Sequence, residues 1–260
     1  MTPPVSDHAP RFSIIIVDYE GAVPRDIFRR KIASLAAQDF RDFEVLVYHD
    51  GPKATSYAED VAGLDLPPGL QFHITPTRAN DWGHSNRDRG IRAARGDWIL
   101  HSNADNLLYP DCLRVLSAAI DSPNRALRHV PLTPAATRRR ALTNLWLKLT
   151  GRRHAILPRP VEECAEKQVL IYAVLMRGLR PCGTRALRSR DAADRYAMIY
   201  SGFPTRRMQI DAMQLVMRRD LWLAEGGWYD RRHDADGRMY EDFAQRYAVL
   251  SIPQVLGEHW

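Results

Sequence analysis

Cysteine is scarce in this chain: three residues in 260, Cys112, Cys164 and Cys182, with no CxxC spacing among them. That excludes a disulfide framework and a thiolate zinc site, and it suits a reducing compartment. Long apolar runs are missing as well. The longest, Val169 to Met176, is much too short to span a bilayer. The first residues, Met1-Thr-Pro-Pro-Val-Ser-Asp-His8, hold no basic segment followed by an apolar one, so no signal peptide is expected. Internal repeats and low-complexity tracts are absent too. What is left is a length that suits one large α/β domain or two small ones, enough to bury a core without covalent staples.

Charge is plentiful but unevenly placed. The net charge is +6, yet residues 122–210 hold 18 Lys and Arg against 5 Asp and Glu, a local net of +13. The remainder is net −7. A basic middle in an acidic frame points to an anionic partner such as a diphosphate, a lipid headgroup or another polyanion.

Up to about residue 121 the pattern alternates strand and helix. Phe12-Ser-Ile-Ile-Ile-Val17, Phe43-Glu-Val-Leu-Val-Tyr48, Leu70-Gln-Phe-His-Ile74 and Trp98-Ile-Leu100 read as strands. Helical spacing recurs at Ile27, Phe28, Ile32 and Leu35, and a further helix opens after Gly83. Alternation of this kind implies right-handed crossovers and a mostly parallel sheet. Polar clusters follow three of the strands, around Asp18, Asp50 and Asp105. In an open α/β sheet those ends lie along one edge, so the clusters should converge there. The elbow Asn103-Ala-Asp-Asn106 stands out, because residues two apart in extended chain face the same way.

The middle breaks the alternation. Arg138 to Leu149 is predicted to be an amphipathic helix with Leu142, Leu145, Trp146 and Leu149 as its apolar stripe, and Val161 to Met176 a second helix after breaks at Pro158 and Pro160. Gln209 to Met217 reads as a strand, and Glu241-Asp242 falls at the start of a helix. Three regions result: 1–121, a basic and mainly helical insertion at 122–207, and 208–260.

These residues carry a resemblance. The opening strand with Ser34-Leu-Ala-Ala-Gln38 and Asp50-Gly51, the segment Gly83 to Gly90 leading into Ala94-Arg-Gly-Asp-Trp-Ile99, the Asn103-Ala-Asp105 elbow in place of an Asp-x-Asp, and Glu241-Asp242 after Gly226-Gly227-Trp228 together resemble the GT-A-fold glycosyltransferases, and are similar to their inverting family 2. The likeness covers roughly residues 12–111 and 209–260. It implies a GT-A-like (Rossmann-like), mostly parallel α/β sheet with helices on both faces. It also implies transfer of a sugar, with inversion, from a nucleoside diphosphate donor, UDP-linked by preference, to a glycan or lipid-linked acceptor.

By that likeness Tyr19, Glu20, Asp50, Arg87 and Asn103 would bind the nucleotide, with Asp50 accepting from a uracil N–H. Asp105 and His259 would hold a divalent cation, Mn²⁺ or Mg²⁺. Asp242 would act as general base with Glu241 beside it, and Trp228 and Asp211 would face the acceptor. One departure is evident: the family's first elbow Asp is Asn103 here, an amide that brings no charge. A cytoplasmic enzyme is expected, with peripheral contact at the inner membrane face through the basic segment and no nucleic-acid partner. Two other classes share parts of this pattern. A nucleotidyltransferase should carry a glycine-rich, Arg/Lys-bearing loop after the first strand, which Asp18-Tyr-Glu-Gly-Ala-Val-Pro24 lacks. A non-catalytic sugar-nucleotide or glycan-binding module remains compatible with Asn103.

Overall fold

The computed structural model describes residues 8–130, 132–151, 160–182, 185–188, 196–207 and 209–260. Its first half runs β1 (Phe12–Asp18), α1 (Arg25–Ala36), β2 (Phe43–His49), α2 (Tyr57–Asp60), β3 (Leu70–Ile74), α3 (His84–Ala93), β4 (Trp98–Asn103), β5 (Asn106–Leu108) and α4 (Cys112–Asp121). The second half runs β6 (Ala126–His129), α5 (Pro134–Leu149), β7 (Val161–Cys164), β8 (Val169–Cys182), β9 (Arg185–Arg188), β10 (Tyr196–Tyr200), a 3₁₀ turn (Ala212–Gln214), β11 (Leu215–Arg218), α6 (Arg219–Ala224), α7 (Ala235–Arg246) and β12 (Val249–His259).

One mixed sheet organises the chain, in the order β3-β2-β1-β4-β11-β8-β12-β6-β7. Strands β3, β2, β1 and β4 are all parallel, whereas β11 runs antiparallel to β4. β1 and β2 are buried along their whole length, which is why they read as unbroken apolar runs. Ile14 and Ile16 pack on one face with Phe28, Ile32 and Leu35 of α1 and Leu113 and Leu116 of α4. Ile15 packs on the other with Ile91 of α3, Trp222 of α6, and Tyr240 and Phe243 of α7. Helices therefore cover both faces, as the GT-A-like arrangement requires.

A buried carboxylate fixes the turn into β4. Glu44 accepts hydrogen bonds from the Ser13 hydroxyl (2.6 Å), the Arg95 amide (2.7 Å) and the Arg95 guanidinium (3.0 Å). The Ser13 oxygen in turn accepts from the Gly96 amide at 2.9 Å. A buried charge satisfied on this many sides is tolerated, whereas an unpaired one would not be. Gly96 is required for a second reason: a Cβ there would lie 2.7 Å from the Phe12 carbonyl carbon and the Ser13 nitrogen.

The middle of the chain differs from expectation. Val161 to Met176 is not a helix but β7 and the start of β8, and β8 lies between β11 and β12 in the sheet. Val169 to Val174 are all buried, and a stretch apolar at every position suits a strand covered on both faces better than a one-sided helix. The segment is therefore not mainly helical; α5 is its one helix among the described residues. α5 begins at Pro134, with the Thr133 hydroxyl accepting from the Ala136 amide at 3.2 Å. Gln209 to Met217 is likewise no continuous strand: Asp211 caps the 3₁₀ turn through the Met213 amide, and β11 starts at Leu215. Pro158, part of the basic run after Arg177, and residues 1–7 lie outside the described residues. No helix among the described residues is long and apolar enough to cross a membrane.

Candidate functional site

After β1 the chain steps through β2 to β3 on one side, then returns to place β4 on the other side of β1. Ligands bind at such a switch point, beyond the carboxyl ends of the strands. A cleft of about 410 Å³ opens there, lined by Asp18 and Tyr19 at the end of β1, Asp50 after β2, and Asn103, Ala104 and Asp105 at the end of β4. The three polar clusters thus converge. Trp82, Gly83, His84 and Arg87 close one wall from the start of α3, and Trp228, His233 and Asp236 come from the C-terminal part of the chain. Gly83 has a positive φ of 78°, and a Cβ on it would meet the Val17 side chain at 2.8 Å.

Arg87 is the buried cation of this cleft, 3% exposed. It donates to the Trp82 carbonyl at 2.9 Å and to the Asn103 side-chain oxygen, and it lies 5.0 Å over the Trp228 ring. Burial lowers its pKa, so an anion that replaced lost hydration would be welcome there. Asn103 therefore holds Arg87. Tyr19 is 44% exposed, and the Arg78 guanidinium stacks 4.6 Å above its ring. Asp50 is buried and accepts from the Ala79 and Asn80 amides at 2.8 and 2.9 Å, so its first task is to hold that loop. Glu20 is not among the lining residues. It accepts from the Ala54 amide at 3.1 Å, with its side chain 56% exposed.

Asp105 and His259 lie side by side because β12 pairs antiparallel with β5, His259 opposite Asn106. His259 Nε2 is 3.5 Å from Asp105 Oδ2, and His259 Nδ1 is 2.6 Å from Asp211 Oδ2. Asp211 therefore serves the imidazole and the 3₁₀ turn and does not line the cleft. A carboxylate behind one ring nitrogen fixes the orientation in which the other faces outward. Asp105 lines the cleft and His259, itself not among the lining residues, stands 3.5 Å behind it; a carboxylate and an imidazole so placed fit a divalent cation that takes its other ligands from phosphate oxygens. Among the described residues no three His, Cys, Asp or Glu form a complete cage.

The expected base is displaced. Asp242 lies in α7 outside the cleft, 49% exposed, with its carboxylate 2.6 Å from Arg246. Glu241 does not line the cleft either. α7 offers Asp236 instead, in its first turn. Asp236 shares a line with the buried Tyr240 and Phe243, whereas six residues on, the helix has turned Asp242 away. Burial and the nearby Asp211 carboxylate push Asp236 up to about 6, against the pull of the Gly237 amide and Arg87.

Trp228, expected beside the acceptor, is wholly buried and stacks at 5.6 Å on both Trp222 and His84. The exposed aromatics of the cleft lining are Tyr19 and Trp82, the latter 69% exposed. Beneath the elbow Lys31 is fully buried and donates to the Ser102 hydroxyl at 2.7 Å; burial draws its ammonium down to about 7. Asp236 and Lys31 both occupy apolar helix lines, a signal present in the sequence. Trp82 carries none.

A profile of the family described as Glycosyl transferase family 2 matches residues 13–166. Comparison with curated proteins finds no match. Among solved structures the chain is similar to S. aureus TarS 1–349 in complex with UDP-GlcNAc, at 15% identity and a TM-score of 0.57 over 95% of this chain and 58% of that one. It is also similar to TarS 1–349 in complex with UDP, at 15% identity and a TM-score of 0.53, over 95% and 60%. This chain spans about three fifths of their length, and at such identities the likeness is one of fold. With the family profile covering more than half of its residues, the chain belongs to glycosyl transferase family 2.

Proposed function

We propose that this chain moves a sugar, with inversion, from a nucleoside diphosphate donor, a UDP-sugar by preference, to a hydroxyl of a glycan or lipid-linked acceptor. One observation carries the reading: a buried cation (Arg87), a carboxylate (Asp105) backed at 3.5 Å by an imidazole (His259), and a carboxylate of raised pKa (Asp236) meet at the switch-point cleft, which Arg87, Asp105 and Asp236 line. TarS, which shares the fold, binds UDP-GlcNAc and UDP, which supports a uridine donor.

In this reading Tyr19 and Asp50 receive the base. Each Asp50 oxygen has a second lone pair beyond its bond to the loop amides, available to a uracil N–H. Glu20, which does not line the cleft, has no contact with the base in this reading. Arg87, held by Asn103, faces the diphosphate. Asp105 and His259 would hold Mn²⁺ or Mg²⁺, and the ion when bound supplies positive charge to the leaving diphosphate. Asp236 accepts the proton of the acceptor hydroxyl. As the acceptor oxygen bonds to the anomeric carbon, the bond from that carbon to the diphosphate oxygen breaks, its electron pair leaves with the nucleotide, and the configuration inverts. Residues 1–121 then serve the donor, and 208–260 bring the base and His259.

A thermal-shift panel of UDP, GDP, dTDP and CMP, each with and without Mn²⁺, tests the donor side. UDP with Mn²⁺ should raise Tm by several degrees and more than the others. An equal response to all four would remove the preference for UDP, and no response to any would overturn the reading. Tight UDP binding with no turnover of any UDP-sugar would leave a non-catalytic binding module.

A further inference from the structure

α5 is mounted with its polar side inward. Thr137, Arg140 and Asn144 face a cavity of about 730 Å³ against Arg128, Gln245 and Arg246. Its apolar stripe points out: Leu142 is 68% exposed, Leu145 53%, Trp146 52% and Leu149 78%, and Leu147 is the helix's one buried residue. Contiguous apolar surface of this kind marks a site where something else covers it. The four side chains recur at i, i+3, i+4 and i+7 and so form one strip along the helix.

Charge identifies the cover. α5 contains Arg138, Arg139, Arg140 and Lys148 and no acidic residue, within a stretch of local net charge +13. At about 100° per residue, Arg139 and Lys148 flank the strip on opposite sides, and Arg138 continues it one turn ahead of Leu142. Their aliphatic stems can lie along apolar surface while the charges reach outward. A second copy of this helix would bring like charges together, whereas an anionic bilayer surface satisfies both the leucines and the flanking cations. Tryptophan suits the headgroup boundary.

We propose that the outward face of α5, through Leu142, Leu145, Trp146 and Leu149 with Arg138, Arg139 and Lys148, seats the protein on an anionic membrane surface. The proposal is independent of the sugar-transfer reading, because it concerns no residue of the cleft. The purified protein is sedimented with vesicles of phosphatidylcholine alone and of phosphatidylcholine with phosphatidylglycerol, at low and high salt. Binding is expected to the anionic vesicles and to weaken with salt. The double substitution Leu145→Gln/Leu149→Gln should weaken it by at least about tenfold, and Arg139→Gln/Lys148→Gln should reduce its salt dependence. Both double variants should keep the parent's circular dichroism spectrum and UDP-induced Tm shift, since the changed side chains are exposed. Failure to bind, equal binding to neutral and anionic vesicles, or undiminished binding by the leucine variant would overturn the proposal. So would dimerisation of the parent that the leucine variant abolishes, which would assign the face to a second copy.

Discussion

The Arg87 guanidinium donates to the side-chain oxygen of Asn103 in the floor of the cleft. The family's Asp-x-Asp elbow would place a carboxylate at that position; the amide accepts the same hydrogen bond without cancelling the charge. Asn103→Asp should therefore neutralise Arg87 and weaken UDP binding by on the order of tenfold, because a charged acceptor competes with the diphosphate for the cation. Calorimetric titration of UDP into both proteins checks this, and unchanged or tighter binding by the variant would refute it.

The two candidate carboxylates of α7 separate cleanly. Asp236→Asn should lower kcat by at least about 10²-fold while leaving UDP affinity near the parent's. Asp242→Asn should leave kcat intact and cost about 0.3–0.5 kcal/mol, since it loses only an exposed pair one helical turn away from Arg246. Loss of transfer in the Asp242 variant with a competent Asp236 variant would reverse the assignment.

Asp236 also sets a pH signature. It must be ionised to accept a proton, so kcat/KM should fall as pH drops through about 6. The stability effect has a definite sign. Its folded pKa is raised, so the native state binds more protons than the unfolded chain between the ordinary aspartate value of 3.8 and about 6. Stability conferred by the protonated carboxyl is thus lost as pH rises across that window, and above it the ionised group lowers stability. Asp236→Asn should melt a few degrees above the parent at about pH 8, with the difference shrinking towards about pH 4. A Tm difference independent of pH would contradict this.

Asp211 tests the orientation of His259. Replacing it with Asn removes the carboxylate 2.6 Å from Nδ1. The Mn²⁺ concentration needed for half of the UDP-dependent Tm shift should rise by about 10–100-fold. If Asp211 faced the acceptor instead, Mn²⁺ dependence would stay put and the acceptor KM would move.

Gly96→Ala probes the seam between β1 and β4. Its Cβ would meet the backbone of Phe12 and Ser13, as well as the Ser13 hydroxyl, at 2.7 Å. A loss of about 1–3 kcal/mol follows, or roughly 3–10 °C in Tm for a chain of this size. A melting temperature equal to the parent's would show that the seam can shift.

The chain's local patterns determined the parallel half of the fold and the rim of the cleft. Unbroken apolar runs such as Phe12–Val17 mark strands covered on both faces, and the polar groups behind Asp18, Asp50 and Asp105 must follow those strands out of the core wherever the rest of the chain goes. Tertiary structure decided what depends on register and rotation. Asp236 and not Asp242 reaches the cleft because packing of Tyr240 and Phe243 sets the turn of α7. His259 stands beside Asp105 because β12 pairs with β5. The apolar face of α5 points away from the body although its spacing is that of a core helix: periodicity states that a helix has two sides, and only the surrounding packing decides which side turns in.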